Sequence, residues 1–330
     1  MPQLRKDIVT SHWVIIANER LKRPSEFTVT PHTAGDFFCP FCPENESKTP
    51  APIKEYLNDN NEWISRVIPN KYPVLKSERD PAFVKDPFYE SMDGVGEHEI
   101  IIESRDHHFT YYTATPDDFA RNYLVTAERF AALAEKKHLR YGLYFKNYKP
   151  DAGATLLHPH AQIIATPIVP KLIWEELVGA KDYHDTNGTC VFCRIMDEEK
   201  KRNERLVTEN ERFVAISPYA SMSPYEIWIL PRQHTAEFQS LTADDAHHLG
   251  MIVHDIFQRY KAVIGDAAFN AYLHTAPFRF PLTGFDRYFH WHIEIAPKTG
   301  ILAGFELGSG FCINPHAPEE CTRMLKEVRQ

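Results

Sequence analysis

The chain has 330 residues, 43% of them hydrophobic and 25% charged, which is the composition of a globular protein large enough for two domains. Its formal net charge of −8 argues against a broadly basic nucleic-acid-binding face, although a few local cations would suffice for a small anionic substrate. No apolar run approaches the roughly 20 residues of a membrane helix and the polar start lacks a signal-peptide core, so we expect a cytoplasmic protein without nucleic-acid or membrane partners.

The first half begins with strands that lead into a long helix. A polar turn at residues 58–61 predicts a hairpin, and an apolar strand ends in a proline turn at residues 66–73. Another apolar strand follows at residues 99–103. Thr115, followed by proline and two acidic residues, predicts the start of an amphipathic helix. Further strands are predicted at residues 139–148 and 162–167.

The second half repeats this order of features. Apolar strands at residues 212–218 and 226–230 precede a helix that starts at Thr242, again with acidic residues in its first turn. Both halves also open with Cys-Xaa-Phe-Cys and close on a His-Xaa-His strand. The repetition predicts an α+β fold with two copies of one unit, residues 1–170 and 171–330, each an antiparallel sheet with a long helix.

Each half supplies the ligand types of a structural zinc site. Two cysteines in a tight turn provide thiolates, and imidazoles commonly complete tetrahedral zinc. The predicted sets are Cys39, Cys42, His107 and His158 in the first half, and Cys190, Cys193, His234 and His290 in the second. Neither set leaves an open coordination position, so we expect two structural zinc ions per chain.

Other interpretations of these residues stay open at this point. A single cysteine pair would also fit a redox motif or coincidence. His108 and His98 are alternatives to His107 as the histidine ligand of the first half. In the second half, a three-ligand site or an iron site is an alternative to zinc.

The chemically most informative stretch is residues 155–162. Side chains two apart on a strand face the same side, so His158, His160 and Gln162 form one polar row. If His158 completes the zinc site, His160 is free to attack a phosphate, and Gln162 can donate a hydrogen bond to a phosphoryl oxygen. Small residues around Gly153 would let backbone donors approach phosphate. The alternative is that His160 is itself a metal ligand.

These motifs resemble the galactose-1-phosphate uridylyltransferase family, a branch of the histidine-triad superfamily that includes plant-type ADP-glucose phosphorylases. The resemblance covers roughly residues 5–315, and it implies two tandem histidine-triad-like units and a homodimer. The motifs that carry it are the first cysteine pair, residues 66–73, 96–103 with His107, 145–147, 153–162 and 290–297.

The resemblance also implies a role for individual residues. His160 matches the family's nucleophile, and Gln162 matches the glutamine that stabilises the covalent nucleotidyl-enzyme. Both cysteine–histidine sets match zinc sites, the second one that of the ADP-glucose phosphorylase-like members. The positions that match the family's nucleotide and phosphate contacts are Arg20, Arg23, Asn70, Asn147, Gly153 and Thr155, the last standing where many members have serine.

The resemblance implies a ping-pong transfer of a nucleoside monophosphate between a nucleotide sugar and a sugar 1-phosphate. Our first hypothesis is UDP-glucose:galactose-1-phosphate uridylyltransferase, and the second is an ADP-glucose phosphorylase with inorganic phosphate as acceptor. A nucleotide sensor without turnover and a histidine-triad hydrolase are the other two hypotheses. Gln162 stands where such hydrolases have a third histidine, which favours transfer. In the second half, Glu294 follows His292 instead of glutamine, and we interpret His292 as vestigial.

Overall fold

A computed structural model describes residues 1–19, 38–76, 80–279, 283–300 and 303–328 of the chain. The strands are β1 (Gln3–Lys6), β2 (Trp13–Ile16), β3 (Lys54–Leu57), β4 (Trp63–Pro69), β5 (Phe83–Lys85), β6 (Glu90–Met92), β7 (Glu97–Ile102), β8 (Tyr141–Tyr148), β9 (His160–Thr166), β10 (Leu206–Glu209), β11 (Phe213–Ile216), β12 (Ile227–Pro231), β13 (Phe269–His274), β14 (His292–Pro297) and β15 (Cys312–Asn314). The helices are α1 (Pro116–Ala134), α2 (Lys171–Asn187), α3 (Val191–Arg202), α4 (Ala243–Ile264), α5 (Phe285–Tyr288), α6 (Gly304–Ser309) and α7 (Pro318–Lys326).

One antiparallel sheet of ten strands runs through both halves, in the order β10-β11-β12-β14-β13-β8-β9-β7-β4-β3. The five strands of the second half mirror the five of the first, and β13 pairs with β8 at the centre. A small sheet of β1, β2 and β15 and a β5–β6 hairpin complete the strands of the described residues. The α+β fold of two tandem units is thereby confirmed.

The two long helices begin where the sequence predicted. Thr115 and Thr242 each accept a hydrogen bond from the third helical backbone N–H, while Asp118 and Asp245 bond back to the cap residue. Helices α1 and α4 then pack against each other so closely that Gly250 lies against the backbone of α1. None of the helices in the described part of the chain is long and apolar enough to cross a bilayer.

The two faces of the sheet have different roles. On β9, Ala161, Ile163 and Ala165 pack into the hydrophobic core that also contains the buried faces of α1 and α4. Because side chains alternate along a strand, His160 and Gln162 point to the opposite face. That face carries separate, smaller clusters beside each cysteine pair, so the fold places the polar chemistry away from the main core.

Candidate active site and metal centres

His160 is the first residue of β9, and the backbone fixes its tautomer. Its Nδ1 lies 2.8 Å from the carbonyl oxygen of His158, so Nδ1–H donates to that oxygen and Nε2 keeps a free lone pair. Burial lowers the pKa of His160 below its ordinary value, and the ammonium of Lys146 acts in the same direction. The side chain is therefore a neutral imidazole of the form that attacks phosphorus.

A buried ion pair supports the backbone at this point. Lys146 donates to the carboxylate of Glu103 and, over 3.1 Å, to the carbonyl oxygen of His160. The hydroxyl of Tyr111 donates to the other oxygen of Glu103 over 2.7 Å. Because Lys146 is only 2% and Glu103 0% exposed, neither charge is solvated by water and each depends on the other. The pair holds the start of β9 in place.

A cavity of about 320 Å³ opens in front of the imidazole. Four of the predicted site residues line it together: Asn70, Thr155, His160 and Gln162. Lys48 and Lys71 line the same cavity, so cationic side chains are available to an anionic ligand. The structure thus brings the proposed nucleophile and three predicted contact residues to one cavity.

The remaining predicted contact residues lie elsewhere. Asn147 and Gly153 are neighbours of each other outside the lining of this cavity, and a Cβ on Gly153 would lie 3.7 Å from the Asn147 amide nitrogen. Gly153 has φ +88°, a left-handed conformation that side chains other than glycine rarely adopt. Arg20 and Arg23 lie outside the described residues.

The first cysteine–histidine cluster has the dimensions of a tetrahedral metal site. The candidate ligand atoms of Cys39, Cys42, His107 and His158 all lie within 4.8 Å of one another. Cys42 Sγ is 3.4 Å from His107 Nδ1 and 3.6 Å from His158 Nδ1. Tetrahedral zinc, with bonds of about 2.3 Å to sulfur and about 2.0 Å to nitrogen, gives a sulfur–nitrogen edge of about 3.5 Å. The donor set therefore fits a closed tetrahedral ion.

The hydrogen bonds around this cluster also suit a metal. His158 Nε2–H donates to the carbonyl oxygen of Ser104 over 2.9 Å, which leaves Nδ1 unprotonated for an ion. Neither of the alternative histidines belongs to the cluster in the described residues, because His98 contacts Gln162 and His108 lies outside the group. His160 is also outside it, and its Nδ1 is already bonded to the backbone.

The second cluster repeats this geometry in the other half. It consists of Cys190, Cys193, His234 and His290, again within 4.8 Å. Cys193 Sγ lies 3.3 Å from His234 Nδ1 and 3.6 Å from His290 Nδ1. Both imidazoles donate Nε2–H to backbone carbonyl oxygens over 2.8 Å, so Nδ1 faces the thiols as in the first cluster. The two centres are thus equivalent in chain position and in geometry.

The second half differs from the first at the position equivalent to His160. His292 occupies the place of His160, but its Nε2 lies 3.2 Å from the carboxylate of Glu294. His274 lies 2.8 Å from Glu176 and 3.7 Å from Glu294. Burial opposes the charged form of His274, yet the two carboxylates outweigh it and raise its pKa to about 9. These four buried residues form a third group able to hold a cation.

Two residues of the site were not assigned their roles from sequence. His98 lies on the cavity side of β7, and its ring contacts the side chain of Gln162. In the sequence, its only distinguishing feature was that of an isolated histidine in an apolar strand. Lys146 lies in an apolar strand, where a buried ammonium requires a partner of opposite charge. The structure shows that this partner is Glu103. Only the fold reveals these contacts, because the partners are 64 and 43 residues apart in the chain.

Comparison with known proteins agrees with the fold. The family model of the galactose-1-phosphate uridyl transferase N-terminal domain matches residues 1–170, and that of the C-terminal domain matches residues 143–299. ADP-glucose phosphorylase from Arabidopsis thaliana is 31% identical over 332 residues, which cover 99% of this chain and 93% of that protein. Galactose-1-phosphate uridylyltransferase from Thermotoga maritima is 26% identical, with 99% of each chain covered.

Solved structures give the same result. The crystal structure of the Arabidopsis thaliana ADP-glucose phosphorylase with bound ADP-glucose matches with a TM-score of 0.86 at 30% identity and covers all of both chains. A structure of uridylyltransferase matches with a TM-score of 0.75 at 26% identity, and covers 99% of this chain and 97% of the other. The resemblance inferred from the motifs is confirmed, and the chain belongs to the galactose-1-phosphate uridylyltransferase family.

Proposed function

We propose that the protein transfers a nucleoside monophosphate through a covalent bond to Nε2 of His160. The observation that carries this proposal is the tautomer, because the hydrogen bond from Nδ1 to the His158 carbonyl leaves the Nε2 lone pair free beside the cavity. In the first step Nε2 attacks the α-phosphorus of a nucleotide sugar, and the bond to the sugar phosphate oxygen breaks. In the second, an oxygen of the acceptor phosphate attacks the same phosphorus and releases the imidazole.

The other residues of the cavity serve binding and charge stabilisation in this proposal. Gln162 donates its amide to a non-bridging phosphoryl oxygen, where negative charge develops during the transfer. Asn70 and Thr155 line the same cavity and contact the nucleotide. Asn147 and Gly153 shape the adjoining loop, with Asn147 held by a hydrogen bond of 2.8 Å from the second half. We keep Arg20 and Arg23 as proposed phosphate contacts.

The identity of the nucleotide has two candidates that share these catalytic residues. The first is UDP-glucose with galactose 1-phosphate as acceptor, and it is supported by the Thermotoga maritima relative, which is named a galactose-1-phosphate uridylyltransferase. The second is ADP-glucose with inorganic phosphate as acceptor, a phosphorylase. The Arabidopsis thaliana relative favours the second candidate, since its identity is 31% against 26% and its structural TM-score is 0.86 against 0.75 for the uridylyltransferase structure.

We further propose that both cysteine–histidine clusters hold structural zinc. All four sulfur–nitrogen distances from Cys42 and Cys193, 3.3 to 3.6 Å, fit a tetrahedral ion, and four protein ligands leave no position for substrate. Zinc would contribute folding energy by tying a turn, a loop and a strand end together.

None of the six cysteines forms a disulfide, which is in keeping with a cytoplasmic protein. We propose a homodimer as the working assembly.

Trapping the covalent intermediate tests this function. The protein is mixed with UDP-glucose or ADP-glucose labelled at the α-phosphate, and protein-bound label is measured after rapid denaturation under alkaline conditions that preserve phosphoramidates. We expect label from one donor, release of that label by galactose 1-phosphate or by phosphate, and no label on His160→Ala. His292→Gln is the matched control from the equivalent position of the second half, and it should still become labelled.

Other results would assign a different function. Nucleotide binding without label or turnover would make the protein a sensor. Rapid appearance of free nucleoside monophosphate without an acceptor would make it a hydrolase. Label that persists on His160→Ala would place the nucleophile elsewhere and overturn the proposal.

A further inference from the structure

His98 makes three polar side-chain contacts in the wall of the cavity. Its Nε2 lies 2.8 Å from Gln162 Oε1, and its Nδ1 lies 3.3 Å from the backbone nitrogen of Val74. The amide nitrogen of Asn70 is 3.1 Å from the same Nε2. His98 is 8% exposed, so these contacts, and not water, determine which ring nitrogen carries the proton.

The contacts select one tautomer of the neutral ring. A proton on Nε2 lets Nδ1 accept from the Val74 N–H and lets Nε2–H donate to Gln162 Oε1, and only the Asn70 contact is then unfavourable. A proton on Nδ1 would face the Val74 N–H and would leave the Nε2 lone pair 2.8 Å from another oxygen. With Gln162 Oε1 as the atom that faces the ring in the structure, that second arrangement has two repulsive contacts, so the Nε2–H tautomer is the one that fits the observed orientation of Gln162.

The Asn70 contact is the one unfavourable contact of this arrangement, and Asn70 does not relieve it by turning its amide. Its Oδ1 already accepts from the backbone N–H of Tyr72 over 2.8 Å, which fixes the amide nitrogen on the His98 side. Burial lowers the pKa of His98, so the ring is neutral at ordinary pH and the single N–H is the one in question.

We infer that His98 is a positioning residue that fixes the Gln162 amide with its oxygen toward His98 and its NH2 group toward the phosphoryl oxygen of the substrate. The inference rests on the proposed function of the same site. Among the described residues, the Gln162 amide nitrogen has no hydrogen-bond partner, and the side chain lines the cavity beside His160. The donor is thus presented to the cavity before substrate arrives.

The orientation matters because an amide has two different ends. With NH2 toward the phosphate, Gln162 stabilises the charge on a non-bridging oxygen. With the carbonyl oxygen there, two electronegative oxygens would oppose each other. Without the His98 donor, the amide can occupy both orientations, and the productive one must be selected during the reaction. Loss of one such hydrogen bond corresponds to about a tenfold lower rate of nucleotidylation.

A double-mutant cycle tests whether His98 acts through Gln162. Single-turnover nucleotidylation is measured for the wild type, His98→Leu, Gln162→Ala and the double variant. We expect His98→Leu to slow the wild type about tenfold but to have less than about a twofold effect when Gln162 is already alanine. His98→Gln, which keeps an N–H donor of similar reach, should recover part of the rate. Equal slowing in both backgrounds would overturn the inference, since that is the signature of a merely structural residue.

Asn70 provides the matched control, because it is the other cavity residue that His98 contacts. The same cycle with Asn70→Ala should leave the full effect of His98→Leu in place. If the effect instead disappears with Asn70→Ala, His98 acts on the nucleotide pocket and the inference is wrong.

A second measurement does not depend on turnover. Long-range nitrogen–proton NMR spectra of protein labelled with 15N-histidine report which ring nitrogen of His98 carries the proton, with His98→Leu used for assignment. Protonated Nε2 is expected, and protonated Nδ1 would overturn the inference. If wild-type protein is never nucleotidylated, the proposed function fails whatever the tautomer. If it is nucleotidylated but the cycle is additive or the tautomer differs, only the role of His98 fails.

Discussion

The carbonyl oxygen of His158 lies 2.8 Å from Nδ1 of His160. His158 also points its own Nδ1 at Cys42 Sγ over 3.6 Å, so one residue belongs to the first proposed metal centre and fixes the tautomer of the proposed nucleophile. The second centre has the same geometry but no free imidazole next to it. The two metal centres should therefore differ in their effect on activity.

Removal of one metal ligand at each centre tests this difference. Cys42→Ser and Cys193→Ser replace equivalent thiols, and each should lose one zinc ion per chain and lower Tm, because the metal contributes folding energy. Only Cys42→Ser should also slow nucleotidylation, by about tenfold or more, since the His158 carbonyl is no longer held in place. Zinc analysis, thermal unfolding and single-turnover rates are the measurements. Equal slowing by both variants would contradict the structural coupling.

Replacing Gln162 by histidine should shift the protein toward hydrolysis. A neutral amide is a poor proton donor, whereas an imidazole at the same place can exchange protons with water and with a leaving group. We expect a larger share of free nucleoside monophosphate relative to transferred product in Gln162→His. Gln162→Leu is the control and should lower the rate without this shift. An unchanged ratio in Gln162→His would count against our account of why the family's site has glutamine.

The rate of nucleotidylation should be insensitive to pH near neutrality. The neutral imidazole is the nucleophile, and burial lowers the pKa of His160 from its ordinary value of 6.5. A lowered pKa moves protonation to more acidic solution, so the rate should remain constant as pH falls through 6.5 and decline only below it. Single-turnover rates across this interval are the measurement. If the rate falls to half its maximum at a pH above 6.5, the charged form of His160 is stabilised and the expectation is wrong.

The buried pair of Lys146 and Glu103 should be important for stability. Lys146→Met leaves the Glu103 carboxylate without its cation in an environment with no access to water, which typically costs about 3–5 kcal/mol. The double variant Lys146→Met/Glu103→Leu should recover most of that loss. Lys54 pairs with Glu128 on the surface, and Lys54→Met should cost less than about 1 kcal/mol. Urea unfolding of the wild type and the three variants gives these free energies, and similar losses for the two lysines would refute the argument.

Close packing of α1 on α4 should make Gly250 intolerant of a side chain. A Cβ there would lie 2.2 Å from the carbonyl oxygen of Pro116 and 3.0 Å from the nitrogen of Ala120, both of them backbone atoms. Gly250→Ala should therefore destabilise the protein by about 1–3 kcal/mol as the helices move apart. Gly308, also helical, has nothing within 4 Å of its Cβ position, and Gly308→Ala should not lower Tm. Equal Tm values for both variants would disprove the close approach.

Much of the fold could be predicted because its signals are local. Thr115 and Thr242 mark helix starts through hydrogen bonds that span three residues, and the strands predicted at 139–148 and 162–167 correspond to Tyr141–Tyr148 and His160–Thr166. Both cysteine–histidine clusters also followed from spacing, since the repeat supplied the same residue types twice.

The parts that could not be predicted depend on distant contacts. Strands β8 and β13 pair at the centre of the sheet, but nothing in the sequence of either strand indicates that the other is its neighbour. His98 was considered only as a metal ligand, because nothing in its strand indicates Gln162, 64 residues away. The position of Asn147 outside the cavity lining could not be predicted either. A strand predicted from sequence does not specify how far its end lies from a cavity.

Asn270, on β13 in the second half, donates hydrogen bonds of 2.8 Å to both the Asn147 side chain and the backbone of Ala152. The second half thus holds the loop of the first half that precedes β9, the strand that begins at His160. Removal of the second half would therefore also remove these two hydrogen bonds from the first half. The side chain of Asn270 thus belongs to one half by sequence and supports the other half by contact.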